Sequence, residues 1–110
     1  MMQASETQWS VEEQQIAKAA LQVARKREAE SLVQWVQEKA DQVAQLSDLW
    51  QLNDFLSARR FDIDGKYDDR PEEILFVLAR LTKEGWLTAQ DLLGLEANKM
   101  AKVTALSRIL

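Results

Sequence analysis

The chain of 110 residues contains no cysteine and no histidine. Without cysteine there is neither a disulfide framework nor thiolate chemistry. Without histidine the commonest general base and the commonest metal ligand are missing. One proline and three glycines leave few residues that interrupt a helix. No apolar run approaches the roughly 20 residues needed to cross a bilayer. The opening segment, MMQASETQWS, lacks the basic and apolar regions of a signal peptide. The expectation is a soluble, non-secreted protein of a reducing compartment, with no membrane insertion. Acidic residues outnumber basic ones, 18 to 14, which argues against nucleic acid as a partner, because binding there rests on neutralising phosphates.

What is present is helix. A hydrophobic content of 46% with 29% charged residues is that of a globular chain, and the length suits one domain. Ser10 followed by Glu13 reads as a capping box, in which two otherwise unpaired backbone donors are satisfied. No breaker follows before Leu46, which predicts a helix of about 36 residues and about 54 Å. A compact chain of this size has a radius of gyration near 13 Å, so such a helix would project from its own domain. Its apolar residues form two stripes. Ile16, Ala20 and Val23 make the first; Ala29, Val33, Val36, Ala40 and Val43 make the second, broadened by Leu32 and Trp35. At about 100° per residue the two lie on nearly opposite sides. Between them stands Arg25-Lys26-Arg27-Glu28, which no core accepts unpaired. Either the helix breaks near Arg25 into a hairpin within one chain, or it continues and each half meets a different neighbour. A second copy of the chain would supply that neighbour through an antiparallel two-fold interface, with Leu32, Val33, Val36, Ala40 and Val43 as its residues.

Shorter helices follow. One is predicted over Asp48–Arg60, with a turn around Gly65. Asp69 with Glu72 reads as a second capping box, with Pro71 in the first turn, where its missing N–H costs nothing. The next helix turns Ile74, Val77, Leu78 and Leu81 inward and ends at Gly85. Thr88 with Asp91 starts a short helix closed near Gly94, and a last helix covers Glu96–Ile109. The predicted fold is all-α: a long extended N-terminal helical arm plus a small bundle of shorter helices, assembled as an antiparallel homodimer. Residues 1–47 form the arm and dimerisation region and residues 48–110 the globular helical end, within a single domain overall.

Little in this pattern suggests catalysis. Asp62, Asp64, Asp68 and Asp69 resemble a calcium loop only superficially, because Gly65 follows Asp64 directly where an EF-hand needs a further ligand first. Turn and cap roles suit these aspartates. No nucleophile–base couple or phosphate-binding glycine loop accompanies the carboxylates. The expectation is a non-enzyme with no catalytic residue, cofactor or metal.

Trp50 is the anomaly. Leu49, Leu52 and Leu56 mark one helix face, and Trp50 with Asp54 points about 120–160° away from it. Ser57 lies near them, Asn53 lies between them and the leucines, and Arg60 borders the same surface. Trp, Arg and a carboxylate together are the usual composition of a protein–protein hot spot. The alternative is that Trp50 packs against another helix of its own chain. Phe76 poses the same question, lying about 160–200° from the inward residues of its helix.

The same residues carry a resemblance that covers nearly the whole chain. WS at 9–10, DLWxLxDFLSARR at 48–60, DIDGKYDDR at 62–70 and LxKEG at 81–85 resemble the fluorescence recovery proteins of cyanobacteria. That resemblance implies an all-helical dimer without pigment that binds the C-terminal domain of the orange carotenoid protein. This photoreceptor passes under strong light from an orange to a red form, which quenches the phycobilisome antenna. The family accelerates the return to orange and helps detach the photoreceptor, so restoring antenna fluorescence. The family's implicated surface maps onto Trp50, Asp54 and Arg60. Position 53, often histidine in the family, is Asn53 here, so no pH switch should centre on it. The implied location is cytoplasmic, at the cytoplasmic side of the thylakoid near the phycobilisome. The competing expectation is a helical dimeric scaffold or adaptor of an antenna complex that alters no conformational rate.

Overall fold

The structure, a computed structural model, describes residues 8–110 and contains four α-helices and one 3₁₀ turn among them. These are α1 (Val11–Ala40), α2 (Leu46–Lys66), α3 (Ile74–Lys83), the 3₁₀ turn Ala89–Leu92 and α4 (Ala97–Ile109). The molecule measures 60 × 26 × 23 Å with a radius of gyration of 17.1 Å, well beyond the ~13 Å of a compact chain this long. The elongation predicted from the uninterrupted first helix is present.

The capping box at Ser10 forms as predicted. Glu13 N–H donates to the Ser10 hydroxyl at 3.1 Å, and Ser10 N–H to the Glu13 carboxylate at 3.3 Å. The helix then passes straight through Arg25, so the hairpin alternative is excluded. It stops at Ala40, however, six residues short of the expected Leu46. The reason is a start signal for α2 that lacks a serine or threonine cap. The Asp48 carboxylate accepts from the backbone N–H groups of Ala44 and Gln45 at 3.1 and 3.3 Å, stabilising a new helix start and so a break before it.

Two further boundaries differ from expectation. Gly65 does not turn the chain: α2 continues through it to Lys66. A glycine inside a helix costs only about 1 kcal/mol relative to alanine, and the buried Lys66 that follows is strongly held. Asp69 with Glu72 does not cap α3, which begins at Ile74. It is Asp68 that folds back, accepting from Arg70 N–H at 3.0 Å and from its guanidinium. The later signals are as predicted. Gly85 ends α3 with φ +87°, and Trp86 N–H donates back to the Leu81 carbonyl at 2.9 Å. Thr88 N–H donates to the Asp91 carboxylate at 2.9 Å. Gly94 has φ +105°, a conformation that favours glycine, and a Cβ there would stand 2.5 Å from Ile16 Cδ1, which would have to shift.

The core gathers Ala17, Ala20, Leu21 and Ala24 of α1 with Ile74, Val77, Leu78, Ala79 and Leu81 of α3, and Leu87, Leu92, Leu95 and Val103 beyond it. The N-terminal half of α1 is thus part of the bundle, where its alanines let other backbones approach closely. Its inward stripe is Glu13, Ala17, Ala20, Leu21, Ala24 and Glu28, not Ile16, Ala20 and Val23; Val23 is exposed. The C-terminal half of α1 leaves the bundle and is accompanied by α2.

Ion pairs clamp α1 to the bundle. Lys99 Nζ donates to Glu13 at 2.7 Å and lies 5.0 Å above the Trp9 ring, while Glu96 N–H donates to the other Glu13 oxygen at 3.0 Å. Arg27 donates to Asp91 at 2.8 and 3.2 Å. The Lys99 bond holds the Glu13 carboxyl down to about 2, and the Arg27 bond does the same to Asp91. Both pKa values are depressed on folding, so the stability they contribute is complete above the unfolded carboxylate range and is lost as pH falls through about 2. The melting midpoint, followed by circular dichroism, should hold from neutral pH to about pH 5 and fall steadily below it. A midpoint unchanged down to about pH 2 would show that these clamps contribute no stability.

Candidate functional site

α2 is the unusual element. Among its residues only Lys66 is buried. Its inner side is made by Phe55, Arg59 and Lys66, which point about 140–180° from Trp50 at 100° per residue. Phe55 stacks on Trp35 of α1 with ring centroids 4.3 Å apart. Leu52, about 160° from Trp50, shares this side; Leu52 and Leu56 are half-buried, whereas Leu49 is 45% exposed and Phe55 itself 38% exposed. The expected leucine face is therefore covered in part, at Leu52 and Leu56, and corrected at Leu49. Apolar periodicity centred it too far round, because two of the inward positions are a lysine and an arginine.

At the inner end of α2 charged side chains close a network. Glu28 of α1 accepts from Lys66 Nζ at 2.9 Å, from Arg59 at 2.7 Å and from the Tyr67 hydroxyl at 2.5 Å. Lys66 also donates to Glu84 of α3. Arg80 of α3 bridges Asp62 at 2.7 Å and Glu84 at 2.9 Å. Burial by itself would raise the Glu28 pKa, but bonds from Tyr67, Lys66 and Arg59 outweigh it and hold the group ionised. The Tyr67 phenol is pushed upward, first by burial and then by its bond to Glu28. The Arg80 bond lowers Asp62. This network answers how Glu28 is accommodated between the two halves of α1, and it takes up Asp62, for which a turn role was expected.

The outer face of α2 carries the predicted residues. Trp50 is 55% exposed, and Asn53 and Asp54 beside it are exposed. Arg60 is exposed on the flank of this face, with its guanidinium 3.7 Å from Asp64. The sequence reading overlooked Phe61, which is 85% exposed and, three turns past Trp50, points within about 20° of it. The signal was available in the eleven-residue spacing, but Phe61 falls just past Arg60, where the helix was expected to end. Phe76, 51% exposed, is on α3 and so belongs to a separate surface. With Arg80, Lys83, Glu84 and Leu110 it lines a hollow of about 380 Å³.

The predicted dimer residues lie along the outer half of α1 and just past it. Val33 is 57% exposed and Ala40 exposed, while Leu32, Val36 and Val43 are half-buried. Val43 lies in the connection to α2, where it lines a cavity of about 290 Å³ with Trp35, Lys39, Leu52 and Phe55. Within one chain the stripe has no complete cover. Among the described residues no helix is long and apolar enough to cross a membrane.

The architecture is that of an elongated all-α protein whose second helix turns aromatic side chains outward. The chain belongs to the fluorescence recovery protein family: the model of that family, described as photoprotection regulator fluorescence recovery protein, matches residues 9–107. It is 49% identical over 109 residues to the fluorescence recovery protein of Synechocystis sp. PCC 6803, covering 99% of this chain and all of that one. The solved structure of the Synechocystis protein superposes with a TM-score of 0.88 at 50% identity, and covers 92% of this chain and 99% of that chain. The fluorescence recovery protein of Fremyella diplosiphon matches with a TM-score of 0.87 at 46% identity over the same shares. The all-helical fold expected from the sequence is the fold of these relatives.

Proposed function

We propose that this photoprotection regulator acts on the orange carotenoid protein. It binds the C-terminal domain of the red, light-activated form, accelerates its return to orange and helps detach it from the phycobilisome. It works without catalysis or cofactor, as an antiparallel homodimer joined through Leu32, Val33, Val36, Ala40 and Val43. Its docking face is Trp50, Asn53, Asp54 and Arg60, extended by Phe61, and Phe76 provides a second contact. Its place of action is the cytoplasmic side of the thylakoid.

The observation that carries this reading is the half-exposed indole of Trp50, on the side of α2 opposite its buried Lys66. A single exposed apolar side chain is ordinary on a protein surface, but Trp50 shares its face with the exposed Phe61 and is flanked by Arg60, and tryptophan and arginine are enriched in interface hot spots. A helper shifts the balance between two forms of its partner only if it binds them differently. To speed the return it must hold the barrier configuration more tightly than the red form, and each tenfold needs about 1.4 kcal/mol of such preference. A rigid helical face gripping one domain after the two separate, and presenting it for redocking, supplies that preference.

The test is direct. The chain is mixed with the red form in darkness and the orange absorbance is followed. Faster recovery is the expected result. Binding without a change in rate would select the scaffold reading instead, and absence of binding would overturn both.

A further inference from the structure

Three cations and three carboxylates, with one phenol, meet where α1, α2 and α3 converge: Arg59, Lys66 and Arg80 with Glu28, Asp62 and Glu84, and Tyr67. The charges balance, and the Glu28–Lys66 pair at the centre is buried. Such a group is a poor source of stability, since desolvation offsets much of the attraction. It is a good source of direction, because hydrogen bonds between ionised groups have narrow geometric preferences where apolar contacts have none.

Its location gives that direction a consequence. No fully buried apolar residue of α2 holds it to the rest of the molecule; its first half is attached at the Trp35–Phe55 stack with half-buried Leu52 and Leu56 beside it, and its second half through the network at Arg59, Asp62 and Lys66, the last about 16 Å past Phe55 at 1.5 Å per residue. The network also reaches the other exposed surface, because Arg80 and Glu84 form part of the wall of the hollow beside Phe76. One set of charges therefore borders both the end of the Trp50 helix and the Phe76 hollow.

We infer that Glu28 and Lys66 are positioning residues, which fix α2 against α3 so that the Trp50 face and the Phe76 hollow keep one relative placement and engage a single partner together. The inference rests on the docking reading above. Loosening the network frees α2 to swing about the aromatic stack, so that either surface still binds but the pair no longer holds the partner's domain in one geometry. Recovery is then lost more than binding.

The absence of cysteine makes the test clean. Ser47→Cys on α2 and Thr104→Cys on α4 carry spin labels, and labelled chains are diluted with unlabelled ones so that distances within one chain dominate. The otherwise unchanged chain should give one narrow distance distribution. Lys66→Met should broaden it at least twofold, with helix content retained, and should slow dark recovery of the red form at least tenfold while its affinity falls less. Glu84→Gln, which neutralises a partly exposed member of the network, serves if Lys66→Met does not fold, and should broaden the distribution in the same sense. An unchanged width in the folded variants, or a broadened one with full acceleration, overturns the positioning role. Failure of the docking reading is distinguishable, because the chain without Lys66→Met or Glu84→Gln would then already be inert towards the red form.

Discussion

Trp50→Ala abolishes the acceleration of dark recovery and leaves helix content and melting midpoint unchanged. The two halves of this expectation have separate grounds. Trp50 is 55% exposed, so truncation opens no cavity, and surface changes of this kind usually stay within about 0.5 kcal/mol. At a docking interface the same truncation removes a large rigid contact. Hot-spot tryptophans cost about 2 kcal/mol or more, which is roughly thirtyfold in affinity. Any part of that contact made more strongly at the barrier than in the red form appears in the rate as well. The measurement is orange absorbance against time, with the variant and the unchanged chain at equal concentration. Equal recovery rates would remove Trp50 from the docking face.

Val33→Glu converts the proposed dimer into a monomer of half its mass. In one chain Val33 is 57% exposed, so a carboxylate there meets water and the fold does not suffer. In an antiparallel pair of α1 arms the same carboxylate would be covered without a partner, and an unpaired buried charge costs several kcal/mol, applied twice by the two-fold axis. Light scattering should report the 12.6 kDa of one chain in place of twice that, with an unchanged helical spectrum. A variant that keeps the double mass would place the contact between copies elsewhere on the arm.

How much of this was legible beforehand differs from element to element. The capping box of Ser10 and Glu13, the glycine stops at Gly85 and Gly94, and the Thr88–Asp91 start are each written in three or four adjacent residues, and each formed as read. The start of α2 was placed two residues late and the end of α1 six residues late, because Asp48 works from inside the helix, reaching back to two backbone donors with no serine or threonine ahead of it. The inner faces of α1 and α2 were misplaced for a shared reason. Glu13 and Glu28 lie on one, Arg59 and Lys66 on the other, and a search for apolar spacing passes over inward charges. At the docking surface Trp50, Asn53 and Asp54 stood out as a break in leucine spacing, whereas Phe61 lies just past the expected end of that helix.

The residues alone therefore determined the class of the protein, its elongation and most of its helix ends, and singled out Trp50, whose exposure the structure decided. These depend on backbone donors, acceptors and turns a few residues apart, whose energetics are local. Only the tertiary structure decided that α1 runs unbroken past Arg25, which of its sides is covered, and how α2 is held. Those depend on Glu28 meeting Arg59, Lys66 and Tyr67, side chains some thirty to forty positions away. Charges leave no periodic trace in a sequence, and their partners become known only when the chain has brought them together.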